Sequence, residues 1–128
     1  MRKFKFHKLV RDKIVEGIIA SGNKPQYRTL SEDEFLIELK KKVIEEAVEI
    51  PRAGGEDLVK ELADLQEVID SVLNALQVSK DELSAIQKQK NEKAGSFKNK
   101  QYIEFVETTD SEWIKYYTAN PDKYPEIS

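Results

Sequence analysis

Acidic side chains at helical spacing are the residues of this chain best suited to chemistry. Glu46 and Glu49 lie three positions apart, with Glu45 beside them, and Glu61 and Asp64 repeat that spacing after a break. Residues three or four apart share one face of a helix, so the members of each pair should project together. Pro and Gly in the break predict a tight connection, which folds the two helices into an antiparallel hairpin. Carboxylates held this close repel one another, and a hard divalent cation such as Mg²⁺ stabilises such a cluster.

A solvated polar face is the competing interpretation of the same residues, because 35% of the chain is charged. The helix before the break carries an apolar stripe at spacings of three and four residues, namely Leu36, Leu39, Val43 and Ile50. Glu46 occupies the place in this series where another apolar residue is expected. After the break, Glu61 falls within the arc of a second apolar stripe and Asp64 lies at its edge. The pattern alone leaves both interpretations open.

The two hairpin helices have recognisable ends. Ser31 followed by Glu34 is a capping box, which predicts that the first long helix starts there and runs to about Ile50. Pro51 ends that helix, because proline lacks a backbone N–H and its ring clashes with the preceding turn. The apolar stripe of the second helix continues to about Leu76. Both helices are therefore long enough to present the acidic pairs to each other.

Shorter elements flank this hairpin. Helical spacing of apolar residues predicts an opening helix over 9–19, and Ser79 with Glu82 forms a second capping box for a helix that ends near Gly95. Asp110 or Ser111 should cap a last helix, which is followed by a Pro-rich irregular tail.

Two segments, Tyr27–Leu30 and Tyr102–Val106, contain β-forming residues and predict a minor two-stranded β element. Each segment is too short to be stable without a partner strand. The expected fold class is therefore mainly α, with this small β element beside the helical hairpin.

Basic residues near the start of the chain, Lys8, Arg11 and Lys13, crowd one end of the opening helix. Arginine offers a planar fork and lysine a point charge, so this cluster is suited to phosphate oxygens. Lys90 and Lys93 form a second group on the third helix, where a triphosphate site would need cations opposite its metal. A solvated basic surface is an equally good interpretation of both groups from spacing alone.

Length and composition restrict the domain organisation and the classes of function that remain. The 128 residues are enough for a single domain, which we expect to have its core at about 8–107 and a C-terminal helix and tail at 108–128. The net charge of −3 with intermixed signs gives no general support for nucleic-acid binding. The chain has no cysteine and no apolar run long enough to span a membrane, which is typical of a cytoplasmic protein.

A family resemblance rests on several of these segments together. The string Lys8–Ile14, which reads Lys-Leu-Val-Arg-Asp-Lys-Ile, precedes Tyr27–Leu30 and the acidic motifs at Glu45–Glu49 and Glu61–Asp64. In this order they resemble the MazG-like all-α nucleotide pyrophosphohydrolases, in particular the phosphoribosyl-ATP pyrophosphohydrolase-like branch. The resemblance extends from Lys8 to about Phe97. It implies a MazG-like helical bundle completed by oligomerisation, as a homodimer or homotetramer.

The resemblance also assigns roles to individual residues. The family's magnesium ligands match Glu46, Glu49, Glu61 and Asp64. Glu45 matches the leading glutamate of the motif, for which a catalytic base or a bridging ligand is the expected role, and Mn²⁺ is a possible substitute for Mg²⁺. Lys8, Arg11 and Lys13 match the opening string, and we expect them to contact phosphate.

The activity implied by the family is hydrolysis of a nucleoside triphosphate between the α and β phosphates, giving a monophosphate and pyrophosphate, a reaction suited to nucleotide-pool house-cleaning. The preferred base and sugar stay open, and phosphoribosyl-ATP is itself a candidate substrate. Members of the branch have Arg-Gly-Gly-Phe where this chain has Ala94-Gly95-Ser96-Phe97. Phosphate contact near this segment therefore depends on Lys90 or Lys93.

Two other classes of protein remain as alternatives. A helical regulatory or interaction subunit would keep the fold without turnover, and the change at Ala94-Gly95-Ser96 is the feature that favours it. A nucleic-acid-binding module would use the basic and aromatic residues of the N-terminal arm, which could stack on bases. The intact acidic spacing favours the enzyme over both.

Overall fold

The structure of the protein is a computed structural model that describes residues 1–128, and its regular elements are all helical. The α-helices are α1 (Asp12–Ala20), α2 (Glu32–Glu49), α3 (Gly55–Leu76), α4 (Lys80–Ala94) and α5 (Ser111–Thr118). The chain divides into two compact units, Met1–Lys90 and Asn91–Ser128. The prediction of a mainly α fold is confirmed, whereas the single-domain organisation stays a prediction. No helix is both long and apolar enough to cross a membrane.

The start of α2 is fixed by the predicted capping box. The Ser31 hydroxyl accepts a hydrogen bond from the backbone N–H of Glu34, and the Glu34 carboxylate accepts one from the Ser31 N–H. Arg28 also donates two hydrogen bonds to this carboxylate, at 3.3 and 2.7 Å. The hydrogen bonds from Arg28 make the largest contribution, and together with those from Ser31 they lower the pKa of Glu34 to about 2. The segment before α2 is thereby tied to the first turn of the helix.

A short connection turns the chain from α2 into α3. Ile50–Arg52 forms a single 3₁₀ turn that contains Pro51, and Gly55 then adopts a positive φ of 58°, which favours glycine. The two helices pack against each other as the predicted hairpin. Their buried contact contains Leu39 from α2 and Val68 and Leu73 from α3. The hairpin is therefore the structural centre of the first unit.

The predicted β element is not confirmed, because neither Tyr27–Leu30 nor Tyr102–Val106 forms a strand. Both segments are irregular and have no ladder of backbone hydrogen bonds. In the first segment, Arg28 bonds to the helix start instead of facing a strand partner. Short runs of β-forming residues need neighbouring strands to become stable, and propensity alone did not supply them.

The remaining helices agree with the sequence with one difference. α1 begins at Asp12 and not at the predicted residue 9. Leu9 and Val10 precede the helix as irregular backbone. Ser79 and Glu82 form the second capping box, and the Asp110 carboxylate accepts hydrogen bonds at the start of α5. In the second unit, the irregular tail places Tyr124 against Tyr117, with 5.1 Å between ring centroids.

Candidate metal centre

Three carboxylates converge where α2 faces α3. Glu46 on α2 and Glu61 and Asp64 on α3 each offer an oxygen atom, and these atoms all lie within 4.8 Å of one another. All three side chains are half-buried. Glu46 projects inward because it occupies a position of the apolar stripe, as the spacing predicted. We call Glu46, Glu61 and Asp64 the acidic triad.

The negative charge of the triad is least balanced at Glu61. Burial raises the pKa of Glu61, and the nearby charges of Asp64, Glu49, Glu46 and Asp57 raise it further. Glu61 is therefore the position where an added positive charge would be stabilised most by the existing carboxylates.

Glu49, the fourth predicted ligand, is not part of this group. Its carboxylate lies 3.8 Å from the guanidinium of Arg52 in the connecting turn. Its charge still contributes to the raised pKa of Glu61, so it lies near the triad without joining it. A rotation of this exposed side chain away from Arg52 would be needed for direct coordination, and the ligand role of Glu49 stays a prediction.

Glu45 lies beside the triad and faces two lysines. Its Oε1 accepts hydrogen bonds from Lys42 at 3.1 Å and from Lys8 at 3.5 Å. Burial alone would raise the pKa of Glu45, but the hydrogen bond and charge of Lys42, with those of Lys8, outweigh it and lower the pKa. A carboxylate held ionised by two ammonium groups is a weaker base, so this geometry does not favour Glu45 as the catalytic base. Its role as a bridging ligand stays a prediction.

The opening string forms one wall of a cleft next to the triad. The cleft has a volume of about 540 Å³, and Leu9–Ile14 line it together with Glu46 and Asp64. Arg11 Nη1 donates a hydrogen bond to Asp64 Oδ1 at 3.4 Å, and its other terminal nitrogen lies 4.0 Å from Glu67. Lys13 lines the same cleft without an ion pair. The structure therefore brings Lys8, Arg11 and Lys13 to the acidic residues.

Lys90 and Lys93 are placed differently. Both side chains are exposed on α4, and neither forms a hydrogen bond or an ion pair. Lys90 belongs to the first unit and Lys93 to the second. Lys90 does not line the cleft of the first unit. The role of both lysines in phosphate binding stays a prediction.

Lys42 is the residue of this site that sequence analysis missed. Only 16% of its side chain is exposed, and its Nζ lies 3.1 Å from Glu45 Oε1 and 3.8 Å from Glu46 Oε1. Lys42 precedes these glutamates by three and four positions, the spacing at which opposite charges meet on a helix. That spacing could have identified it, but the adjacent Lys40 and Lys41 conceal it in a lysine run.

The residues fit a hard divalent cation. Carboxylate oxygens are the ligands that Mg²⁺ prefers, and Mg²⁺ is commonly bound by one or two carboxylates, with water and substrate phosphates completing its shell. The triad offers three such oxygens beside an open cleft. The donor set contains no histidine or cysteine, which gives no support for zinc or another softer metal.

Replacement of Glu61 by Gln tests the charge balance of the triad. The raised pKa means that folded protein holds this proton more tightly than unfolded protein. The contribution of Glu61 to the stability of the cation-free protein should therefore be fully present below the ordinary carboxyl pKa and fall as pH rises through the raised value. Glu61→Gln should remove this fall and raise the thermal midpoint at neutral pH, measured by circular dichroism in EDTA.

The matched control is Glu92→Gln, which changes an exposed glutamate on α4 and should leave the midpoint unchanged. Added Mg²⁺ should stabilise the natural protein and the control but not Glu61→Gln. A lower midpoint for Glu61→Gln in EDTA would show that the Glu61 carboxylate is a stabilising group and not a repelled one.

Comparisons with known proteins add little to this geometry. No family model matches the chain, and no solved structure matches it. A protein of Mycolicibacterium smegmatis, described as uncharacterized, is 47% identical over 53 residues, which are 41% of this chain and 54% of the relative. The matched part thus spans about half of that relative, whose description names no activity.

Proposed function

We propose that this protein is a Mg²⁺-dependent nucleoside triphosphate pyrophosphohydrolase with a MazG-like fold, acting on cytoplasmic nucleotides. The observation that carries the proposal is the convergence of Glu46, Glu61 and Asp64 within 4.8 Å beside a cleft that Arg11 and Lys13 also line. A carboxylate site for a cation next to basic side chains is the arrangement that a metal-bound polyphosphate requires. The family resemblance of the same residues supports this choice of substrate.

The side chains around the cleft divide into two groups by charge. Glu46, Glu61 and Asp64 would hold the cation, with Glu49 near enough to join after a rotation away from Arg52. Bound Mg²⁺ supplies positive charge that neutralises phosphate oxygens and makes a water more acidic. Arg11 would exchange Asp64 and Glu67 for a phosphate, because the guanidinium fork suits either anion.

The protein's contribution is therefore mainly positioning and electrostatics. The chain has no cysteine and no histidine lines the cleft. The Ser71 hydroxyl lines it but donates a hydrogen bond to the backbone carbonyl of Glu67, and no neighbouring base activates it as a nucleophile. Attack by water at the α phosphate requires the fewest additional groups. The cleft volume of about 540 Å³ lies within the range of small-molecule sites and does not distinguish one base from another. Phosphoribosyl-ATP remains an alternative substrate of the same reaction class.

A regulatory subunit without turnover is the second candidate function. It is favoured by the change to Ala94-Gly95-Ser96 together with the exposed, unpaired state of Lys90 and Lys93. If these residues supply no phosphate contact, the cations that line the cleft are those of the opening string and Lys42. Mg²⁺ binding without product formation would support this alternative.

Replacement of Glu46 by Gln or Asp64 by Asn tests the proposed function. Each change removes one negative ligand at nearly constant size, so pyrophosphate release should fall by at least about 100-fold while helical content stays the same. The assay measures pyrophosphate, monophosphate and orthophosphate from a panel of ribo- and deoxyribonucleoside triphosphates and phosphoribosyl-ATP, with and without Mg²⁺. Orthophosphate release would indicate cleavage at the terminal phosphate instead.

The control for these variants is Glu38→Gln, which removes a carboxylate on α2 that pairs with Lys41 away from the triad. It should retain full activity. Full activity of Glu46→Gln and Asp64→Asn would exclude the triad as the metal site. Absence of product from the natural protein with every substrate, despite Mg²⁺ binding, would favour the regulatory subunit.

The hairpin exposes an apolar surface that supports the proposed oligomer. The exposed apolar side chains of α2 and α3 include Ile37, Ile44, Val48, Val59 and Leu62. Ile37, Ile44 and Val48 are seven and four positions apart, so they share one face of α2. A contiguous apolar face on a monomer is an interaction surface or an aggregation risk. A second copy of the same hairpin would bury it and give a homodimer or homotetramer.

Ile44→Asp tests this assembly, because a charge at a buried apolar contact is strongly unfavourable. The variant should shift the protein from a dimer or tetramer towards the monomer mass in light scattering coupled to gel filtration. Ile127→Asp is the control, since Ile127 is as exposed as Ile44, at 68% against 67%, but lies in the tail. A natural protein that is monomeric at high concentration would contradict the proposed oligomer.

A further inference from the structure

Lys42 differs from the other lysines of α2 in its surroundings. Its side chain is 16% exposed, whereas that of Lys41 is 67% exposed. The Lys42 ammonium lies against the carboxylates of Glu45 and Glu46, and the residue also lines the cleft. Placing an ammonium group in a largely enclosed position has a desolvation cost, which is offset here by two carboxylates.

The position of Lys42 gives its charge two opposite consequences. Glu46 is a member of the acidic triad, so a cation bound there would lie close to the Lys42 ammonium and be repelled by it. A polyphosphate in the cleft would instead be attracted by the same charge. Lys41, one residue earlier, pairs with Glu38 and faces neither site.

We propose that Lys42 is a positioning residue that weakens cation binding to the empty triad and strengthens binding of a triphosphate to the cleft. The inference rests on the proposed function for the identity of the two ligands. In the absence of ligand, Lys42 compensates the charge of Glu45 and Glu46. When both ligands are bound, the cation and the triphosphate together carry a net negative charge, which attracts the Lys42 ammonium. Binding of either ligand therefore favours binding of the other. Lys42 thus makes the site selective for the cation together with the triphosphate over the cation alone.

A role limited to folding predicts a different result. Loss of a structural ion pair would loosen the site and weaken both ligands together, or would lower stability without changing either affinity. The proposed role predicts changes of opposite sign. Lys42→Met keeps the length of the aliphatic stem and removes the charge, which separates the two accounts.

The experiment measures two affinities for natural protein, Lys42→Met, Lys42→Arg and the control Lys41→Met. Mn²⁺ binding in the absence of phosphate is followed by electron paramagnetic resonance, and binding of inorganic triphosphate at saturating Mg²⁺ by calorimetry. Lys42→Met should bind Mn²⁺ about five- to tenfold more tightly and triphosphate more weakly by at least that factor. Lys42→Arg should remain close to the natural protein in both, and Lys41→Met should be unchanged.

Thermal unfolding of each variant shows whether it is folded under the conditions of the binding measurements. If Lys42→Met is unfolded, Lys42→Gln, which retains a polar end, takes its place with the same expected signs. Affinities that both fall, or that both stay constant, would overturn the role of Lys42 while leaving the proposed function intact. Failure of the natural protein to bind Mn²⁺ would instead overturn the proposed function, and this inference with it.

Discussion

Repulsion among carboxylates at the contact of α2 with α3 is the constraint on which the rest of this site depends. Glu46 takes a place that the apolar stripe of α2 would otherwise fill, and Glu61 and Asp64 approach it from α3. Burial, and then the charges of the neighbouring carboxylates, raise the pKa of Glu61. A charge cluster in a half-buried position destabilises a hairpin unless cations compensate it. The presence of this cluster where apolar contacts are available is the observation behind the proposed metal site.

The surrounding cations account for much of the compensation. Lys42 pairs with Glu45 and lies near Glu46, and Arg11 pairs with Asp64. The opening string lies against the hairpin through these ion pairs, so the same contacts position the segment that lines the cleft. Because the ion pairs of Lys8 and Arg11 are about half-exposed, each contributes little to stability and can be exchanged for a ligand. A site held by exchangeable pairs can be both folded without ligand and ready to accept one.

Sequence reasoning was most accurate where local rules determine structure. The capping boxes at Ser31 and Ser79 and the proline after α2 fixed helix ends, since these signals act within one helical turn. The position of Glu46 within the apolar stripe was likewise predictable, because it follows from residue spacing within one helix. The meeting of Glu46 with Glu61 and Asp64 was predictable because a short turn leaves few ways to pair two amphipathic helices. The predicted β element did not form, because a strand depends on partner strands that are distant in the chain. Lys42 and Arg52 were missed although each lies three residues from the glutamate that it pairs with. Lys42 is one of three successive lysines, and Arg52 lies in the connecting turn and not in the helix.

The most direct test of the account is crystallography of the protein with Mn²⁺, using anomalous scattering to locate the ion. We expect a peak bonded to carboxylate oxygens of Glu46, Glu61 and Asp64, at about 2.0–2.2 Å, which is typical of hard cations of this size. Water should complete the shell on the side of the cleft. An ion bound elsewhere at full occupancy, with no ion bound to the three carboxylates, would contradict the assignment of this hairpin as a metal centre.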